Sequence, residues 1–210
     1  MGTENSVVRK HYVLVHGACH GAWSWYKVKP RLESAGHQVT VLDLAASGTN
    51  MKKIEDVDTF SQYSEPLLQL LATIPPNEKV VLVGHSLGGP NIALAMDIFP
   101  QKVAVGVFLA AFVPDLEHKP SYVIEKYIES TPATEWLDTE FSQRGNKTSM
   151  FFGSKFLSTK LYQLSSTELW MIENAGINDM LEINGADHMA MLSKPQELCD
   201  SLQQIALKYA

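Results

Sequence analysis

Cysteine is nearly absent: the 210 residues contain two, Cys19 and Cys199, close to opposite ends of the chain. They form no metal-ligand pattern and no disulfide framework, and their scarcity predicts reduced thiols in a cytoplasmic protein. Long apolar runs are also missing. None approaches the ~18–20 residues that a transmembrane helix requires, so no membrane span is expected. Lysine and arginine form no stripe and do not interleave with aromatics, and the net charge is −6 with both signs mixed. This balance argues against nucleic acid as a partner and favours solubility. The opening Met1-Gly2-Thr3-Glu4-Asn5-Ser6 has neither the basic nor the apolar region of a secretory leader. It fits only the loose myristoylation pattern and reads as a soluble start. No internal repeat and no low-complexity stretch occurs.

What is present is a composition of 45% apolar and 19% charged residues, that of a globular chain long enough to bury one sizeable core. A single domain over residues 1–210 is the expectation. Its most informative segment is Gly84-His85-Ser86-Leu87-Gly88, a G-x-S-x-G motif directly after the apolar run Val80-Val81-Leu82-Val83. Gly89-Pro90-Asn91-Ile92-Ala93-Leu94-Ala95-Met96 follows, with a proline suited to an early helical position and then good helix formers. Strand, sharp turn and helix are the context in which such a serine is lifted above a sheet as a nucleophile. An ordinary glycine-rich turn is the other reading of the motif.

The rest of the chain alternates in the same way. Strands are predicted at 11–16, 38–43, 79–83 and 103–110, with helices over 25–35 and 58–72. Strands apolar on both faces, alternating with helices, imply a mostly parallel sheet covered on both sides. From Asp115 to about Leu164 the texture changes to aromatics, methionines and short helical patterns with no convincing strand, which reads as an inserted helical cap. Regular structure is expected to return with a strand at 179–183, a loop Gly185-Ala186-Asp187-His188 and a last helix from Pro195 to Tyr209.

His188 lies on the loop after the last expected strand, 102 residues beyond Ser86. There it could act as general base toward the serine and then as general acid toward a leaving alcohol; a surface loop histidine is the plainer reading. The N–H of Leu87, the residue after the nucleophile, and an N–H of the His16-Gly17-Ala18 loop would form an oxyanion hole. His16 and His85 flank the site and are expected to hold loops by hydrogen bonds, not to transfer protons.

Several blocks in one order resemble the plant methylesterase and hydroxynitrile lyase branch of the α/β-hydrolases. They are His16-Gly17-Ala18-Cys19-His20-Gly21-Ala22-Trp23, Leu42-Asp43-Leu44-Ala45-Ala46-Ser47-Gly48, Gly84 to Gly89, Phe108-Leu109-Ala110-Ala111-Phe112 and Gly185 to Leu192. The resemblance covers nearly the whole chain. It implies an α/β-hydrolase fold, no metal or organic cofactor, possible homodimers, and small hydrophobic methyl esters such as methyl salicylate, methyl jasmonate or methyl indole-acetate as substrates. It also implies that Ser86 and His188 are catalytic and that Ala18 and Leu87 donate the oxyanion N–H groups. Gly17, Tyr122, Trp136, Phe141, Met150 and Phe151 would contribute to substrate binding. The lyases place a threonine near Gly17 and a lysine right after the catalytic histidine, where this chain has Met189. An apolar thioether cannot stabilise a departing cyanide as an ammonium would, so hydrolysis is favoured.

One expected part is missing. The family carries a further strand, ending in the acid that orients the histidine, between the cap and His188. Here Leu161 to Ser166 runs almost straight into Glu168 to Glu173, which resembles the helix that follows that acid. A segment at least the size of a ~30-residue βαβ unit is absent, and with it one late strand of the sheet. Asp115, after the strand at 103–110, is the best remaining candidate for the acid, because some α/β-hydrolases place theirs there. Asp187 adjoins His188, but its side chain is expected to point elsewhere. Without an acid, turnover would fall by roughly 10⁴-fold. A weak or inactive, receptor-like binder of a small molecule is therefore the second reading, and a hydroxynitrile lyase the third.

Overall fold

The computed structural model describes residues 8–144, 147–161 and 179–210. Four parallel strands form its centre: β1 (His11–Val15), β2 (Gln38–Leu42), β3 (Val80–His85) and β4 (Val103–Leu109), in the spatial order β2-β1-β3-β4. The connecting helices are α1 (Lys29–Ser34), α2 (Phe60–Thr73) and α3 (Gly88–Ile98). Alternation along the strands fills two core halves. Tyr12, Leu14, Val81 and Val83 pack on one face with Trp25, Val28, Leu32, Leu198 and Leu202. Val13, Val15, Val80 and Leu82 pack on the other with Leu67, Leu71, Ile92 and Ala95. This two-sided burial is the physical cause of the continuous apolar runs in the sequence.

The expected helix at 25–35 is shorter than its pattern. A 3₁₀ turn, Ala22–Trp25, comes first, and α1 begins at Lys29, where Pro30 occupies a first-turn position that needs no N–H donor. Helix α2 starts with a capping box in which Thr59 and Gln62 satisfy each other's backbone N–H groups. It ends on a buried lysine. Lys102 Nζ donates to the carbonyls of Leu71, Ala72 and Ile74 at 2.8, 3.0 and 2.7 Å, placing a cation at the negative end of the helix.

After β4 the chain forms α4 (Tyr122–Ser130), a hairpin of β5 (Glu140–Arg144) and β6 (Lys147–Phe151), and a short α5 (Ser154–Phe156) that continues as a π turn to Leu161. The hairpin departs from the strandless cap that the sequence predicts. Its strands are rich in Ser, Thr, Gln and charge, and polar side-chain bonds cross it, Ser142 to Ser149 at 2.6 Å and Gln143 to Thr148 at 2.9 Å. A two-stranded ladder of this kind lacks the apolar alternation that marks a half-buried strand.

The strand expected at 179–183 is not one: among the described residues this segment joins no ladder. Met180 and Leu181 are exposed, and only Ile183 packs on the core. Strand β4 is the edge of the described sheet, and every one of its residues is partly exposed. A β segment needs a hydrogen-bonding neighbour, and no described strand lies beyond β4 to supply one. The helix expected near Glu168 to Glu173 lies outside the described residues. The chain ends in α6 (Ala190–Ser193) and α7 (Pro195–Tyr209), the latter as expected, with Leu198, Cys199, Leu202 and Ala206 buried.

Candidate active site

The site is built where the parallel strands end. Non-glycine residues with positive φ follow each of the four strands: Cys19 (60°) after β1, Ala46 (57°) after β2, Ser86 (53°) after β3 and Ala110 (42°) after β4. Such conformations are uncommon for residues with a Cβ and cluster at functional sites. Three of them, Cys19, Ser86 and Ala110, line one cavity of about 620 Å³. Ligands of open α/β sheets bind at the carboxyl ends of the strands, and the volume is that of a small-molecule site.

Ser86 is held in its strained turn from both sides. Its N–H donates to the Leu109 carbonyl at 3.2 Å, and its own carbonyl accepts from Gly89 at 3.0 Å and Phe112 at 3.1 Å. The end of β4 therefore braces the turn, a role that nothing in the G-x-S-x-G motif announces. The turn closes only because Gly84 lacks a side chain: a Cβ there would lie 2.6 Å from the Gly88 carbonyl oxygen. Leu87 immediately precedes α3, where backbone N–H groups have no intrahelical acceptor and the helix dipole is positive. Asn91 Nδ2 donates to the Leu87 carbonyl at 2.8 Å, and Asn91 Oδ1 accepts from Ser64 Oγ at 2.6 Å, tying α3 to α2 beneath the turn.

His188 and Ser86 line the same cavity, together with Ala18, Leu87, Trp136 and Met150. Those six of the expected site residues are brought together. The remaining four are not on its walls. Gly17 lies behind Ser86, where a Cβ would fall 2.8 Å from Ser86 Cβ. Tyr122 opens α4 and stacks on His118 with ring centroids 3.9 Å apart. Ile124, Tyr127 and Ile128 of the same helix face the cavity instead, because Tyr122 lies about 200° around the helix from Ile124. Phe151 is 69% exposed, since adjacent residues of β6 point to opposite faces and Met150 takes the inner one. Phe141 is also exposed and packs edge-on against Trp136.

Aromatic residues beyond the expected Trp136 complete the wall. Phe112, Tyr127, Trp136, Phe156 and Phe152 form a chain of ring contacts with centroids 4.8 to 5.8 Å apart. Their signal is diluted, because they come from four separate segments that only the folded chain joins. Glu135 and Lys160 also line the cavity and pair with each other.

Three buried histidines lie around Ser86. His16 Nδ1–H donates to the Gly17 carbonyl at 2.8 Å while its Nε2 accepts from the Leu44 N–H at 3.0 Å, so a neutral ring joins the loops after β1 and β2. Burial lowers its pKa, against the raising effect of that carbonyl bond and of Asp43. His85 Nε2 lies 2.8 Å from the His188 carbonyl. Desolvation, reinforced by the neighbouring His188, pushes the His85 pKa well below its ordinary value. His20, bonded to the Ala18 carbonyl at 2.8 Å, is also lowered by burial. His16 and His85 thus have the loop-holding geometry expected of them.

The carboxylates nearest in sequence to the catalytic elements have local roles. Asp187 Oδ1 accepts from the Met189 N–H at 2.9 Å and Ser193 Oγ at 2.8 Å, so it caps the turn into α6. Asp115 accepts from the N–H groups of Glu117 and His118 at 2.9 and 2.8 Å and from the His118 ring at 2.9 Å. Desolvation alone would raise its pKa, but these bonds outweigh it and lower the carboxyl to about 2. Asp115 is therefore part of the turn before α4 and not of the cavity wall. Among the described residues no cluster of His, Cys, Asp and Glu converges as a metal site would. No helix among them is long and apolar enough to cross a membrane.

A family described as alpha/beta hydrolase fold matches residues 10–173. Salicylic acid-binding protein 2 of Nicotiana tabacum is 48% identical over 95% of this chain and 98% of its own length. Methylesterase 3 of Arabidopsis thaliana is 44% identical over 96% and 98%. The crystal structure of polyneuridine aldehyde esterase superposes with a TM-score of 0.88 at 39% identity, covering 95% of this chain and 100% of that one. The alignment with the tobacco protein runs over 255 positions, 45 more than this chain has residues, so at least that many of its positions have no counterpart here.

Proposed function

The chain belongs to the α/β-hydrolases, and we propose that within that family it is a serine carboxylesterase that hydrolyses small hydrophobic methyl esters, of the methyl salicylate, methyl jasmonate or methyl indole-acetate type. The observation that carries this reading is the strained Ser86, which shares an apolar cavity with His188 and with Ala18 and Leu87. Ser86 Oγ attacks the ester carbonyl as His188 takes its proton. The N–H groups of Ala18 and Leu87 hold the oxyanion. His188 returns the proton to the leaving methanol, and water then releases the acid from the acyl-enzyme by the same steps in reverse order.

Residues 115–164 act in this reading as a cap on a single domain, supported by the cavity walls that α4, Met150 and Phe156 provide. Two free cysteines fit a cytoplasmic location. Met189, fully buried beside His188, offers no charge to a departing cyanide, which disfavours lyase chemistry.

The test is hydrolysis of methyl salicylate and of p-nitrophenyl acetate by the purified chain beside Ser86→Ala. A loss of roughly 10³-fold or more in the variant is expected; equal rates would overturn the esterase reading. A second reading, a binder of a small aromatic acid with little turnover, is favoured by the name of the tobacco relative and by the positions without counterpart. Equal rates combined with saturable salicylate binding in both proteins would select it. Cyanide release from mandelonitrile that disappears in Ser86→Ala would select the lyase.

A further inference from the structure

The loop that presents His188 does not extend from a paired strand. The segment before it, 179–183, joins no ladder among the described residues. Asp187, Met189 and Ser193 bond to one another within the turn into α6, and Met189 and Met191 seat that turn in the core, downstream of the His188 backbone. The bond from the His85 ring to the His188 carbonyl runs from this loop to the strand that carries Ser86.

We propose that His85 is a positioning residue: by donating its Nε2–H to the His188 backbone carbonyl, it holds the general base in register with Ser86. This rests on the reading of His188 as base. His85 is suited to the task by rigidity, being 1% exposed at the end of β3 and adjacent to the nucleophile. Its ring also packs on that of His188, with centroids 4.7 Å apart at 54°.

The acceptor is a carbonyl, so the Nε2 must carry the proton and Nδ1 must be bare. That Nδ1 is buried and has no hydrogen-bond partner. It points toward Gly17, where a Cβ would lie 2.9 Å from it. A second proton would have no acceptor there, so the ring stays neutral beside His188 when His188 takes the serine proton. His85 is thus fixed as a donor and is unsuited to shuttle protons itself.

Side-chain geometry supplies the test. Gln places its Nε2–H the same number of bonds from Cα as His, whereas the Asn amide is one bond short. His85→Gln is expected to keep kcat within about 3-fold of the parent and to leave the His188 ring signals in their places in histidine-labelled spectra. His85→Asn is expected to lower kcat by about 100-fold with KM changed by less than about 3-fold, since an ångström of misplacement has that scale of effect. It should also shift the His188 ring signals. Ring nitrogen spectra of the unaltered protein add a measurement that no variant can spoil by misfolding: His85 should be neutral, protonated at Nε2, with slow proton exchange. An Nδ1–H tautomer, or Asn and Gln variants with the same kcat and the same His188 signals, would overturn the proposal. If the parent itself shows no hydrolysis above Ser86→Ala, the esterase reading fails while the spectra still decide whether His85 positions the loop.

Discussion

Gly17 backs directly onto Ser86: a Cβ on Gly17 would lie 2.8 Å from the Cβ of Ser86 and 3.2 Å from the carbonyl oxygen of His85. The loop after β1, whose next residue Ala18 faces the cavity, and the nucleophile turn after β3 are therefore packed at the limit of backbone approach. Gly17→Ala must push one of them away. His85 Nδ1 would lie at 2.9 Å as well, so two side-chain atoms have to move against a tight backbone contact, which implies a stability loss of about 1–3 kcal/mol. If Ala18 holds the oxyanion as proposed, displacement of its loop from Ser86 should lower kcat by about 100-fold. Urea unfolding and steady-state hydrolysis of p-nitrophenyl acetate measure the two effects, and a Gly17→Ala variant with parental values of both would refute this account of the contact.

The buried histidines make stability depend on pH in one direction. His16, His20 and His85 all have folded-state pKa values below the ordinary 6.5, principally through desolvation. The unfolded chain therefore binds protons near pH 6.5 that the folded chain refuses. Stability from this source is complete above that pH and declines as the pH falls toward the folded values, by up to ~1.4 kcal/mol per pH unit for each group. The urea midpoint should drop between about pH 7.5 and about pH 5.5. His85→Gln, which removes one of the three, should flatten the decline. A midpoint that rises on acidification would contradict the neutral assignment.

Lys102 stabilises the end of α2 through three carbonyls. Lys102→Met keeps the apolar stem but leaves those acceptors buried without their donor, at a cost of about 1–3 kcal/mol. Thermal or urea unfolding reads the change. Activity should be unaltered below the melting temperature, because this residue is not on the cavity wall.

Asp115→Asn tests whether that carboxylate serves the active site or its own turn. Its bonds to Glu117 and His118 predict a small effect on turnover, within about 2-fold, and an acid-stability change confined to the turn before α4. Loss of an orienting carboxylate would instead cost up to ~10⁴-fold in kcat. Comparison of kcat for the variant and the parent separates the two.

Legibility differs by the kind of signal. The four strands, α2, α3 and α7 stand out because local periodicity and caps record which faces are buried. The elbow is readable because a strained turn demands glycines at fixed spacing around the serine. The β5–β6 hairpin is not, since its cohesion comes from polar cross-strand bonds such as Ser142 to Ser149 that leave no apolar pattern. Asp179 to Ile183 carries a strand's composition and yet joins no described ladder. Pairing belongs to the neighbour as much as to the segment.

By itself, then, the sequence determined the α/β alternation, the strand-turn-helix around Ser86 and the family blocks beside it, all of which depend on residue type at short spacing. Tertiary structure decided which side chains share the cavity. It kept Trp136 and Met150 on the wall, turned Tyr122 and Phe151 away, and brought in Tyr127 and Phe156. It also placed the His188 carbonyl on the ring of His85 and gave Asp115 to His118. These are contacts between surfaces, set by helix phase, strand alternation and the meeting of distant loops, and no local pattern encodes them.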